Sequence, residues 1–239
     1  MVGKLLLLPN VLEETLPHEP FIPTSAAAAI ASLHGLIAES EKTARRYLRR
    51  FLSHDAMAKT PLRTLNEHTP PKDLDELLQP IEKGETWGLI SDAGLPCIAD
   101  PGAELVKLAH EKKISVETFV GPSSIFMALQ LSGFCGQRFC FHGYLPREIP
   151  ELEAKIKELE KRSKNETQIW IEAPYRSQKM LETLKRILQP ATHLCVAVNL
   201  TTPAQKVLSQ SLAKWKTFSL SLEKEPAVFL LDSHSPIIR

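Results

Sequence analysis

The sequence predicts an α/β fold of two α/β domains in series, and two observations carry the prediction. Short apolar runs alternate with stretches of helical periodicity along the chain, and glycine- and proline-rich segments fall where apolar runs end. Alternation of this kind favours βαβ units, largely parallel sheets and right-handed crossovers.

Taken in order, strands are expected at residues 4–8, 36–39, 86–91, 115–119, 138–143, 168–172, 194–198 and 227–231. The first, "KLLLLP", stops at Pro9 and is too short for a membrane span or a signal core, so it reads as a buried strand. Helices are expected at 24–32, 41–51, 72–82, 103–112, 123–132, 151–161 and 176–188. Thr24 is the expected N-cap of the alanine-rich helix, and Asp73 sits in a first turn, where its charge suits the helix dipole. Pro146 and Pro150 interrupt regular structure in "GYLPREIPE", which places a boundary there and gives domains 1–143 and 144–239. The charged helix that follows presents a solvated face.

At 239 residues, 43% hydrophobic and 24% charged, the chain has enough apolar side chains for a sizeable core. A net charge of +1 excludes a general polyanion binder, yet charge is unevenly spread. Between Glu41 and Arg63 stand Lys42, Arg45, Arg46, Arg49, Arg50, Lys59 and Arg63 against only two acids. Cys97, Cys135, Cys140 and Cys195 have no CxxC spacing, so no metal site is expected, and reduced thiols point to the cytoplasm.

Two loops have the composition for chemistry. In "SDAGLPCIADPG" (91–102), Gly94 and Gly102 permit close backbone approach, Pro96 and Pro101 stiffen the loop, and Asp92 either accepts hydrogen bonds from a ligand diol or serves as a turn or cap residue. In "GPSS" (121–124), Ser123 and Ser124 either offer hydroxyls and amides to an anionic group or simply cap a helix. Both loops lie at strand carboxyl ends, where open α/β sheets bind ligands. The common dinucleotide and triphosphate motifs are absent.

The run "LISDAGLPCIADPGAELVKLAHEKKISVETFVGPSSIFMALQLSGF" resembles the core of the tetrapyrrole-methylase-fold (class III) methyltransferases. It is most similar to their small-subunit ribosomal RNA cytidine-2′-O-methyltransferase branch, which shows "SDAGTPLISDPG" followed by "PGPSA". "FHGYLPRE", "IEAPYRSQKMLETL", "IAESEKTARRYLRRF" and "LNEHTPPKDLDELL" extend the resemblance over about residues 36–188, and the chain looks closest to the short members of the branch. It departs from the branch in "LPN" for "PTPIGN", "AESEK" for "AEDTR" (Ser40 and Lys42 replacing Asp and Arg), and "AVNLTTPAQK" for "ARELTKxxEE".

The resemblance implies an S-adenosylmethionine-dependent methyltransferase with its cofactor in a cleft between two α/β domains, a ribose 2′-hydroxyl of 16S ribosomal RNA as acceptor, the small ribosomal subunit as partner, and a homodimer. Carried over residue by residue, Asp92, Ala93, Gly94, Leu95 and Pro96 line the cofactor, as do Ser123, Ser124 and Ile125. Glu172, Ala173, Pro174, Ala197, Asn199, Pro226 and Ala227 match positions that close over adenine. In-line methyl transfer needs positioning, and a ribose hydroxyl needs a base. Glu39, Asn66 and His68 are the catalytic candidates. Glu39 follows an apolar strand and is either a desolvated base or a partner for an arginine of the next helix; His68 is a base, a phosphate contact or a solvated loop residue. Arg45, Arg46, Arg49 and Arg50, one helical stripe, with Tyr175 and Arg176, are the candidates for holding RNA, against the alternative of a solvated face. Two competing readings remain: a tetrapyrrole C-methyltransferase and a cofactor-binding protein without catalysis.

Overall fold

The computed structural model describes residues 3–222 and 224–233. In the first half run β1 (Lys4–Leu7), α1 (Thr24–Ala31), β2 (Gly35–Ala38), α2 (Glu41–Leu48), α3 (His54–Lys59), β3 (Leu62–Thr64), α4 (Leu74–Glu82), β4 (Thr86–Leu89), α5 (Gly102–Glu111) and β5 (Ser115–Thr118). The strands form one sheet in the order β3-β2-β4-β1-β5. Every pairing in it is parallel.

A continuous run of leucines is what a central parallel strand requires, because helices cover both faces of the sheet. Leu5 joins Ile37, Leu78, Ile81, Trp87 and Leu105 on one face. Leu6 and Leu8 join Ile30, Leu36, Tyr47 and Leu48 on the other. Ser40 caps α2 by accepting from the Thr43 amide (3.1 Å). The expected cap at Thr24 is corrected: Thr24 is the first helical residue, and Pro23 before it offers no side-chain hydrogen bond.

The second half holds α6 (Ser124–Ser132), β6 (Phe139–Tyr144), α7 (Ile149–Arg162), β7 (Thr167–Glu172), α8 (Pro174–Ile187), β8 (His193–Val198), β9 (Lys206–Ser211), α9 (Leu212–Thr217) and β10 (Ala227–Asp232). Its sheet runs β6-β7-β10-β8-β9. Here the expectation of largely parallel pairing is corrected. Only β6 and β7 pair in parallel; β10 lies antiparallel between β7 and β8, and β8 pairs antiparallel with β9. The connection 199–205 is too short for a crossover, so β9 must fold back on β8. Trp170 and Phe229, both fully buried, stack at 5.6 Å across neighbouring strands, and Trp215 donates from Nε1 to Leu194 O (2.8 Å).

The chain divides into two units between Ser123 and Ser124. Residues 124–143, grouped with the N-terminal half in the sequence reading, supply α6 and β6, and β6 is an edge strand of the second sheet. Among the described residues, no helix is long and apolar enough to cross a membrane.

Candidate functional site

Strand order decides which loops of the first unit meet. The carboxyl ends of β2, β4 and β1 lie side by side, which gathers Glu39, Asp92 and Asn10 although they are far apart in sequence. Glu39 Oε1 accepts from the Asp92 amide (3.0 Å), and Thr43 Oγ1 donates to Asp92 Oδ1 (2.8 Å). Asn10, buried, donates from Nδ2 to Ser91 O (3.1 Å) and Asp92 O (3.0 Å), while its Oδ1 accepts from the Val11 amide (2.9 Å). The Asn10 amide in turn donates to Gly94 O (2.8 Å). Asp92 and Ala93 remain exposed, Leu95 is half-buried, and Gly94 and Pro96 are buried.

The loop's glycines are fitted to close packing. Gly94 has φ +75°, and a Cβ there would sit 3.2 Å from Leu12 Cδ2 and 3.3 Å from Pro122 O. A Cβ on Gly121 would fall 2.1 Å from Pro9 Cβ, an impossible contact. The three loops after β1, β4 and β5 therefore pack closely at these glycines, and Asp92 stays exposed. Cys97 (φ 68°) and Ala99 (φ 65°) also occupy the left-handed region. Asp100 Oδ1 sustains that shape by accepting from the amides of Cys97 (3.0 Å) and Gly102 (2.8 Å), a carboxylate filling a nest of backbone donors. Burial, and then the Asp100 charge, push the Cys97 thiol up to about 12.

Burial raises the Glu39 carboxyl above its usual value, and the negative charges of Asp92, Asp100 and Glu67 push the same way against the Asp92 amide. A half-buried acid of this kind is suited to holding a proton. Asn66 Nδ2 reaches Glu39 O at 3.4 Å, and Asn66 Oδ1 accepts from the His68 amide (3.0 Å). His68 is 85% exposed at its side chain and lies 3.6 Å from Glu67 Oε1, pointing into solvent. The structure thus brings Asn66 to Glu39 but leaves the His68 ring apart. Arg63, Asn66, His68 and Asp73 border an open hollow of about 460 Å³.

The expected single helical stripe of arginines is corrected: α2 ends at Leu48, so Arg45 and Arg46 lie on it while Arg49 caps it and Arg50 lies past its end. Arg46 pairs with Glu14, and Arg50 Nη1 donates to Leu16 O (2.8 Å). Arg45 lies 3.6 Å from Glu41, and Arg49 is exposed.

In the second unit Ser124 opens α6 and Ile125 is buried, whereas Ser123 ends the first unit, half-buried. Glu172 is buried at the end of β7; its Oε1 accepts from the Ala173 amide (3.0 Å). Arg176 Nη2 lies 3.3 Å from Glu172 Oε2, near enough for an ion pair but not aligned for a hydrogen bond, and donates to Pro146 O (3.0 Å). Burial raises the Glu172 carboxyl, against the Ala173 amide and the charges of Arg176 and Arg147. Arg176 is therefore turned inward, while Tyr175 is 75% exposed. Strand register brings Glu172, Ala227 and Val198 into line, so Ala173, Pro174, Pro226 and Asn199 share one end of the sheet. Asn199, at φ +51°, donates to Glu225 Oε1 (3.0 Å). The side chains of Ala197 and Ala227 are buried within the sheet.

Asn10, Thr43 and Asp100 are the residues that sequence reasoning missed as parts of this arrangement. Asn10 was visible only as a departure from a motif. Thr43 gave no signal, because its contact with Asp92 depends on β2 and β4 being neighbours.

The sequence profile of the tetrapyrrole (corrin/porphyrin) methylases matches residues 22–215. The chain belongs to the tetrapyrrole methylase family. Among solved structures resembling this tetrapyrrole methylase are the methyltransferase CobJ, with a TM-score of 0.63 and 15% identity over 96% of this chain and 94% of that one. A uroporphyrin-III C-methyltransferase of Thermus thermophilus complexed with S-adenosylhomocysteine gives 0.53 and 14%, covering 96% and 97%. At such identities the likeness concerns fold alone. Curated relatives named Ribosomal RNA small subunit methyltransferase I are nearer in sequence. That of Thermotoga maritima is 36% identical over 55% of this chain and 56% of its own length. That of Xylella fastidiosa is 33% identical over 72% and 62% respectively. The matches thus span less than two thirds of these relatives' own lengths.

Proposed function

We propose that this tetrapyrrole methylase transfers a methyl group from S-adenosylmethionine to ribosomal RNA of the small subunit, at a ribose 2′-hydroxyl. One observation carries the reading: Glu39, an acid raised by burial, hydrogen-bonds the amide of Asp92 in the motif on which the resemblance to ribosomal RNA methyltransferases rests. In this reading a proton acceptor stands beside the loop that holds the donor.

The residues present fit the donor. Three loops packed closely at Gly94 and Gly121 border the site, and an exposed Asp92, steadied by Thr43, offers acceptor oxygens to a diol or an ammonium group. When bound, S-adenosylmethionine supplies a methyl group on a sulfonium, activated without a metal. The chain's own contributions are then orientation and a base. Held above its ordinary pKa, Glu39 takes the hydroxyl proton on Oε2 as the ribose oxygen attacks, while Oε1 stays on the Asp92 amide. Asn66 fixes the backbone at Glu39. We further propose that Glu172, Ala173, Pro174, Asn199 and Pro226, gathered at one end of the second unit's sheet, are adenine contacts. A ribosomal acceptor puts the protein in the cytoplasm; the homodimer rests on the resemblance alone.

The test is one incubation of purified protein, methyl-labelled donor and small ribosomal subunits from a strain lacking the gene. Label in nuclease fragments of the RNA supports the reading. Label only in an added porphyrinogen replaces it with tetrapyrrole methylation, and donor binding with no label anywhere replaces it with a non-catalytic role.

A further inference from the structure

Arg46, in α2, and Arg50, two residues past its end, both reach the same segment of chain. Between β1 and α1 the segment from Leu8 to Pro23 contains neither helix nor strand. Arg50 reaches it with both arms of its guanidinium, donating to the carbonyls of Leu16 and Glu14. One turn earlier, Arg46 pairs with the Glu14 carboxylate. Between them the buried Tyr47 hydroxyl donates to Pro9 O (3.1 Å). The last turn of α2 and the residues just past it thus hold residues 9–16 at both ends. The gripped segment is the one carrying Asn10, which staples the Asp92 loop, and Leu12, which lies against Gly94. A hollow of about 400 Å³ opens here, bordered by Glu13, Thr15, Thr43, Arg50 and Asp92.

We propose that Arg46 and Arg50 are positioning residues that latch segment 10–16 into place as a wall of the donor site, and that contact with RNA falls to Arg45, on α2, and Arg49, at its C-cap. The donor half of this inference rests on the function proposed above. An irregular segment fixed before the ligand arrives loses less entropy on binding. The grip is also chemically selective. A guanidinium spans two carbonyls with one planar fork, whereas an ammonium is a point charge that cannot hold both in the same geometry. A phosphate contact tolerates the exchange far better, since counterion release depends on charge.

Arg50→Lys therefore separates the roles while keeping charge. In the ligand-free chain, the substitution should speed cleavage by a Glu-specific protease at Glu13 and Glu14 several-fold. It should raise the calorimetric Kd for S-adenosylhomocysteine about tenfold, as expected for one lost charged hydrogen bond. It should raise the KM for the donor with kcat unchanged, and leave the salt dependence of binding to a small-subunit RNA fragment as it was. Arg45→Gln with Arg49→Gln should do the reverse, leaving both donor affinity and cleavage unchanged and lowering the salt slope by about two. Unchanged cleavage in Arg50→Lys overturns the latch. So does a loss of RNA affinity without loss of donor affinity, or a fall in kcat and melting temperature with no change in the donor KM. If Asp92→Ala weakens donor binding and Arg50→Lys does not, the latch alone fails. If the unaltered chain binds no S-adenosylhomocysteine, the donor reading fails and takes the wall with it, while the protease result still decides whether the arginines hold the segment.

Discussion

Asn10→Ala removes the side chain that joins two of the loops at the site. The wild-type amide supplies two donors to Ser91 O and Asp92 O, and its oxygen accepts from Val11, a residue only 3% exposed. Each such bond contributes about 1 kcal/mol net, so three give about 3 kcal/mol, with more lost if water cannot reach the orphaned Val11 amide. For a unit of this size that corresponds to a fall in melting temperature of roughly 10 °C. Hydrogen exchange read by mass spectrometry across a urea series resolves the two units, and the loss should appear in peptides from residues 3–123 and not in those from 124–233. Asn10→Asp should be worse than alanine, because it removes both donors and sets an anion against two carbonyls beside Asp92. A loss below about 1 kcal/mol in Asn10→Ala would refute the idea that this side chain holds the Asp92 loop.

Glu39→Gln keeps the acceptor for the Asp92 amide and removes the charge. Since the folded carboxyl binds its proton more tightly than the unfolded one, wild-type stability falls as pH rises from the ordinary value of 4.5 through the raised one. The variant should thus be the more stable at pH 7, with the advantage vanishing below about pH 4.5, and should be unable to transfer methyl groups; urea midpoints that differ equally at all pH values contradict this. Gly121→Ala must displace Pro9, and should cost about 2 kcal/mol while weakening donor binding, measured by denaturation and calorimetry. Asp100→Ala empties the nest of amides at Cys97 and Gly102 and removes a charge that raises the Cys97 thiol, so alkylation of Cys97 at pH 8 should accelerate; an unchanged rate contradicts the coupling.

Much of the fold was legible because periodicity and punctuation agreed. Eight strands and seven helices fell within a few residues of expectation, as with Lys4–Leu7 against 4–8 and Thr167–Glu172 against 168–172. β3, β9, α3 and α9 went unread, being short or half-exposed, without a continuous apolar run to mark them. Nothing local in "AVFLLD" says that it enters antiparallel between β7 and β8, since pairing direction depends on chain path. The site divides the same way. "SDAGLPCIADPG" announced a loop built for close approach, but its second aspartate turned out to be an internal staple, with Asp92 the exposed one. The α2 stripe looked uniform because helical spacing shows which residues share a face and not what packs above them. Only the path of residues 9–16 separates Arg46 and Arg50 from Arg45 and Arg49.

The central claim is that the loops gathered at the carboxyl ends of β1, β2 and β4 hold a methyl donor through Asp92. Calorimetric titration of S-adenosylmethionine into the unaltered chain and into Asp92→Ala tests it most directly. Binding should be saturable in the first and at least about tenfold weaker in the second, consistent with one charged hydrogen bond lost, with unchanged circular dichroism. Equal affinities in the two proteins would contradict it.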